Sequence, residues 1–151
     1  MSRTANIEGY AALFNRPDLG GDIIRSGAFA HAQARDIRLL WQHDTRTPIG
    51  RWLHLHEDRT GLFVHGELLL DSPHGREAHT LLTGRALNGL SIGFNTRVAR
   101  RHKGGRTILK LDLWEISIVT FPMMPGARIT RIGSAQGPAE KFRTLTRQHA
   151  A

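Results

Sequence analysis

The sequence predicts a β-rich α+β domain: a small antiparallel β-barrel of about six or seven strands flanked by two or three helices. Three observations predict it. Short segments that alternate apolar and polar residues recur along the chain, separated by clusters of Gly, Asp, Asn and Pro. Two pairs of these segments are joined by turn chemistry short enough for hairpins, around residues 57–60 and 103–105. Helical spacing is confined to two stretches, and closing the strands into a barrel removes exposed edges.

The elements follow in order. A first strand is predicted over 7–14, and 15–22 is a loop by its turn residues. Ser26 is an N-cap for a short helix over 27–35, in which Phe29, Ala30 and Ala34 supply apolar positions. Residues 37–43 alternate as a strand, with Ile37, Leu39, Trp41 and His43 on one face. Residues 49–56 and 61–70 form a hairpin. A second helix begins at Ser72-Pro73, where proline suits the first helical position, and ends near Gly84; Ala78, Leu81 and Leu82 are its buried stripe. A second hairpin spans 91–100 and 107–121, turning through Lys103-Gly104-Gly105, and a last strand covers 127–132. The barrel domain is thus placed at 1–132, and the small, polar and basic residues at 133–151 are expected to be a flexible tail.

Composition excludes several classes. A chain of 151 residues with 40% hydrophobic content buries one core but is short for a doubly wound hydrolase. The absence of cysteine rules out disulfides, a thiolate nucleophile and cysteine-bound zinc. No apolar run approaches the ~20 residues of a membrane span, and Met1-Ser2-Arg3-Thr4-Ala5-Asn6 lacks the apolar core of a signal peptide, so a soluble protein not exported by that route is expected. The net charge of +8 invites a nucleic-acid partner. Yet the basic residues are dispersed, apart from Arg97, Arg100, Arg101, Lys103 and Arg106 and a tail group of Lys141, Arg143 and Arg147. No aromatic-basic stacking motif accompanies them, so nucleic acid is not expected as a specific ligand.

Three segments carry chemistry: Gly89-Leu90-Ser91-Ile92-Gly93, Trp41-Gln42-His43-Asp44 and Leu113-Trp114-Glu115-Ile116-Ser117. They bring an alcohol, an imidazole and a carboxylate into one small domain, which points to a serine hydrolase. The Gly-x-Ser-x-Gly pattern does not by itself mean an α/β-hydrolase. That fold needs a strand before the serine and a helix after it, whereas here a helix precedes and a strand follows.

The succession Ile7-Glu8-Gly9-Tyr10, Gly20-Gly21-Asp22-Ile23-Ile24, Gly27-Ala28-Phe29, Leu40-Trp41-Gln42-His43-Asp44, Pro48-Ile49-Gly50, Gly61-Leu62-Phe63-Val64, Leu87-Asn88-Gly89-Leu90-Ser91-Ile92-Gly93-Phe94 and Asp112-Leu113-Trp114-Glu115-Ile116-Ser117-Ile118-Val119-Thr120-Phe121-Pro122 resembles the tailed-phage prohead proteases, over roughly residues 7–132. That family is similar in fold to the herpesvirus capsid-maturation proteases, and gene-transfer-agent particles use the same kind of enzyme. The resemblance implies a serine endopeptidase that cleaves the scaffold segment of the major capsid protein, and often itself, inside the immature capsid in the bacterial cytoplasm. It implies no cofactor and no metal. Herpesvirus relatives act as dimers, although nothing in these residues shows a self-complementary surface.

Carried over residue by residue, the resemblance makes Ser91 the nucleophile and His43 the general base. For the acid, spacing favours Glu115: it lies 24 positions beyond Ser91, so a hairpin turning at 103–105 sets it roughly across the ladder. Asp112 and Asp44 stay open as competitors, though on a strand Asp112 projects opposite to Glu115 and Asp44 opposite to His43. The resemblance to the herpesvirus enzymes also makes Arg128 a candidate oxyanion donor, with Gly93 another by permitting close backbone approach. Two readings of other classes stand beside this one. A non-catalytic basic barrel could dock on acidic scaffold or nucleic acid, and a metal-dependent hydrolase could use His54 and His56, which share a strand face but lack a third ligand fixed by spacing.

Overall fold

The computed structural model describes residues 3–136. Its strands are β1 (Thr4–Leu13), β2 (Ile23–Ile24), β3 (Arg38–Trp41), β4 (Asp44–Glu57), β5 (Gly61–Leu69), β6 (Gly89–His102), β7 (Gly105–Val119) and β8 (Arg128–Ile132), with one α-helix, α1 (Pro73–Thr83), between β5 and β6. Seven strands close a ring in the order β7-β3-β4-β5-β1-β8-β6, where β6 pairs back onto β7, and β2 lies outside it as a short ribbon on β7. The alternating side chains turn Ile7, Ile49, Leu68, Leu90, Ile116 and Ile118 inward, all at 0% exposure. Each such side chain stabilises the fold by about 1.5–3 kcal/mol. The indole of Trp52 is buried with them, and its N–H donates to the Ile116 carbonyl at 3.3 Å.

The barrel and both predicted hairpins are present, but the sheet is mixed rather than antiparallel. A ring with an odd number of strands cannot alternate direction all the way round. The unavoidable parallel pair falls between β3 and β7, with Leu40 beside Ser117 and Trp41 beside Ile118.

The helix expected over 27–35 is absent, leaving one α-helix among the described residues where two or three were expected. Gly27 takes φ +95, and the chain runs on through successive i to i+3 turns to a 3₁₀ turn at Ala34–Asp36. The carboxylate of Glu57, not Ser26, accepts the free N–H groups of Gly27 (3.0 Å) and Phe29 (3.3 Å). The second helix has the predicted bounds, from Ser72 at the N-cap to Gly84 at the C-cap, and buries Ala78 and Leu82 of the expected stripe, whereas Leu81 is half-buried and Gly75 completes the packed face. Its stop differs in detail. Gly84 keeps φ −78, while Arg85 adopts the left-handed φ of 59. Arg85 N–H reaches Leu82 O and Ala86 N–H reaches Leu81 O, the paired bonds of a Schellman ending.

Of the predicted tail, residues 133–136 run beside β1: Gly133 N–H bonds Asn6 O and Gln136 pairs with Thr4. The remainder, with Lys141, Arg143 and Arg147, lies outside the described residues.

Candidate active site

The long β6–β7 ladder places two of the three candidate groups. Ser91 is registered directly against Ser117, and Gly93 against Glu115. Residues opposite one another in an antiparallel pair share a face, so Ser91, Ser117 and Glu115 lie on the face turned away from the core residues Ile116 and Ile118.

His43 arrives from β3. The strand predicted to run to residue 43 ends at Trp41, and Trp41 pairs with Asp44 across a two-residue turn in which Gln42 and His43 have φ of 52 and 61. Positive φ at both central positions is what a type I′ hairpin turn requires, but it usually falls on Asn or Gly. Two side chains hold this costly conformation. Gln42 makes a two-way bond with Thr120, its amide N–H donating to the Thr120 hydroxyl at 2.7 Å and its amide oxygen accepting the Thr120 backbone N–H at 3.1 Å. The backbone N–H of His43 donates to the Ser117 hydroxyl at 3.0 Å.

In this position the His43 ring is 45% exposed and its Nδ1–H donates to Oε1 of Glu115, a carboxylate only 1% exposed. The other carboxylate oxygen, Oε2, accepts the Ser117 hydroxyl at 2.6 Å. A buried carboxylate is costly unless its charge and lone pairs are matched, and these two donors match them. Gly93 leaves the room for it: a Cβ there would fall 2.5 Å from Glu115 Oε1 and 2.7 Å from its Cγ. With Nδ1 bonded to the acid, the proton sits on that nitrogen and Nε2 is the acceptor.

Ser91 is 7% exposed, and among the described residues its hydroxyl makes no hydrogen bond. It opens into a small cleft whose walls are Ala11, Ala12, Ile24, Ile92, Phe94, Met123 and Met124, with Asp18 as the one other polar side chain. Leu19, Phe121 and Met123 stand exposed on the loops near this cleft, and Leu19 N–H bonds Met123 O.

The competing acids are engaged elsewhere. Asp44 accepts the Arg46 backbone N–H at 2.9 Å and the Thr47 hydroxyl at 3.0 Å, and the first of these chiefly holds its carboxyl below the usual range. Asp112 is exposed and faces Arg97 at 3.5 Å. Arg128 opens β8 against Gly89, two residues before Ser91. His54 and His56 contact each other at 3.1 Å, and among the described residues no group of three metal-binding side chains occurs. No described helix is long and apolar enough to cross a membrane. Ser117 escaped sequence reading, although a hydroxyl two residues after the acid on a strand must share its face.

The chain is similar to known proteins in sequence and in fold. The chain is 35% identical over 139 residues to the prohead protease of Enterobacteria phage HK97, covering 86% of this chain and 61% of that protein. It is 28% identical over 123 residues to the prohead protease of Escherichia phage T5, covering 77% and 57%. The chain therefore spans about three fifths of the length of these relatives. In fold it is similar to KSHV protease in complex with a hexapeptide phosphonate inhibitor, with a TM-score of 0.59 at 13% identity over 98% of this chain and 77% of that one. Varicella-zoster virus protease gives a TM-score of 0.53 at 14% identity, covering 98% and 77%. A family model described as caudovirus prohead serine protease matches residues 1–140, and the chain belongs to that family.

Proposed function

We propose that this protein is a serine endopeptidase that removes the scaffold segment of a major capsid protein during maturation of a phage or phage-like prohead, inside the particle. The observation that carries the reading is the buried Glu115 carboxylate bonded to His43 Nδ1 on the ladder face that also bears Ser91. Membership of the prohead serine protease family supports a capsid protein as the substrate.

The chemistry is acyl transfer. Ser91 Oγ attacks the scissile carbonyl while His43 Nε2 takes its proton, and the imidazolium so formed is stabilised by Glu115. His43 then gives the proton to the leaving amine, and water, activated by the same nitrogen, releases the acyl group. The substrate side chain nearest the scissile bond enters the apolar cleft beside Ser91. Arg128, or backbone N–H groups near it, serves the developing oxyanion.

Co-expression with a capsid protein that carries an N-terminal scaffold extension tests the reading. Wild type should shorten that protein and Ser91→Ala should not, while both remain folded. Equal processing by the two would reject it. Self-cleavage would appear in the same experiment as shortening of the wild-type chain alone.

A further inference from the structure

Ser117 is bonded both to the candidate acid and to the residue that carries the candidate base. Its hydroxyl donates to Glu115 Oε2 at 2.6 Å and accepts the His43 backbone N–H at 3.0 Å, and the residue is 0% exposed. A serine hydroxyl has a single proton and two lone pairs. Because the His43 N–H is itself a donor, it can only occupy a lone pair, so the proton is left for the carboxylate. The direction of both bonds is therefore set by chemistry.

Each bond removes one freedom the site cannot tolerate. The carboxylate of Glu115 would otherwise rotate about its terminal torsion, which is broad and roughly two-fold. With Oε2 tied to Ser117, Oε1 is the oxygen presented to His43 Nδ1. The His43 N–H lies in a left-handed turn, outside the regular ladder, and Ser117 gives it a buried partner. Ser117 also sits opposite Ser91 on β6 and beside Leu40 on β3, so all three catalytic segments are referenced to one position of β7.

We infer that Ser117 is a positioning residue for this reaction: it fixes the rotation of Glu115 and the turn bearing His43 so that ring nitrogen Nε2 is presented to Ser91. The inference rests on the assignment of Ser91, His43 and Glu115 proposed above. Being wholly buried, Ser117 does not touch substrate and acts only through its two neighbours. A merely structural role would make its loss a matter of stability, whereas a positioning role makes it a matter of reaction rate in a folded protein.

The test uses the whole chain and a fluorophosphonate, which reacts with an activated serine without knowledge of the cleavage site. Wild type, Ser91→Ala, Ser117→Ala, Ser117→Thr and Ser117→Val are compared for the saturating inactivation rate and for the probe concentration giving half that rate. Ser117→Ala should lower the saturating rate about 10- to 100-fold with the half-saturating concentration unchanged. Thr and Val have nearly the same shape and differ in the hydroxyl. Ser117→Thr should therefore exceed Ser117→Val by a similar factor, and this comparison carries the test if the alanine variant does not fold. The downfield ring-proton resonance of His43 should persist in the Thr variant and broaden away in the Val variant. A saturating rate within twofold of wild type in Ser117→Ala, or equal rates in Thr and Val, overturns the inference and leaves the protease reading intact. Wild type that is not labelled at Ser91 overturns that reading, and the inference with it.

Discussion

Gly93 stands directly across the β6–β7 ladder from Glu115, so close that a single added methyl group would come within 2.5 Å of the carboxylate oxygen that holds His43. Glycine weakens a strand interior, since it packs nothing and loses more entropy on folding. Its presence here is explained by the acid it accommodates. Gly93→Ala should push Glu115 out of line and lower kcat about 100-fold, with a stability loss of about 1–3 kcal/mol from overpacking. A variant with wild-type kcat would show that the carboxylate has slack.

Glu115→Gln separates shape from charge. The amide keeps the volume and can still bond both neighbours, but it cannot stabilise the imidazolium and admits the wrong ring tautomer. By analogy with amide substitution in other serine triads, kcat should fall about 10³- to 10⁴-fold with KM within a few-fold. Steady-state kinetics on a processed capsid substrate measure this, and a loss confined to KM would remove Glu115 from the chemistry.

Acid should loosen the β2 loop from β7. Asp22 is held below the ordinary carboxylate range chiefly by its hydrogen bonds from Arg106, at 2.8 and 3.0 Å. A depressed carboxyl contributes stability that is full above its unfolded value, about 3.9, and is lost as pH falls through the lower folded value. Asp22→Asn should thus lower Tm at pH 7, and the gap to wild type should close towards pH 2. A gap that stays constant across that range would mean the pair contributes nothing through its charge.

The end of α1 offers a gain. Arg85 occupies a left-handed position that glycine takes without the Cβ penalty. Arg85→Gly should stabilise by about 1 kcal/mol, or raise Tm by about 2–4 °C in a domain of this size, with activity unchanged because Arg85 lies outside the site. An unchanged or lower Tm would show that the Schellman bonds already absorb the strain.

Local chemistry and a closed barrel were legible in the sequence, and the order of strands around the ring was not. Both hairpins could be read because Lys103-Gly104-Gly105 and the 57–60 segment are turns in their own right, and the cross-ladder nearness of Ser91 and Glu115 follows from counting back from such a turn. The order of strands could not be read, because the β3–β7 pairing joins residues such as Leu40 and Ser117 that lie far apart in sequence, and alternation says nothing of which neighbour a strand chooses. The turn at Gln42 and His43 reads as strand in the sequence because it lacks the Asn-Gly signature; tertiary bonds from Ser117 and Thr120 supply what the residue types do not. The helix expected over 27–35 failed for the same kind of reason. Gly27 bends the wrong way for a helix, and the carboxylate that receives its N–H comes from Glu57, 30 positions later.

One of the two tightest turns in the barrel carries the imidazole, and on the proposed reading this bears on how such a protein can be controlled. A base mounted on a two-residue turn, with strands β3 and β4 gripping it on either side, sits, among the described residues, on no lid or swinging arm that could carry it away from the alcohol while the barrel stays intact. Heat should then abolish hydrolysis and melt the sheet in one step, with no inactive but folded plateau between them. On the proposed protease reading, restraint then comes from supply: what varies is whether a cleavable segment is crowded against the site.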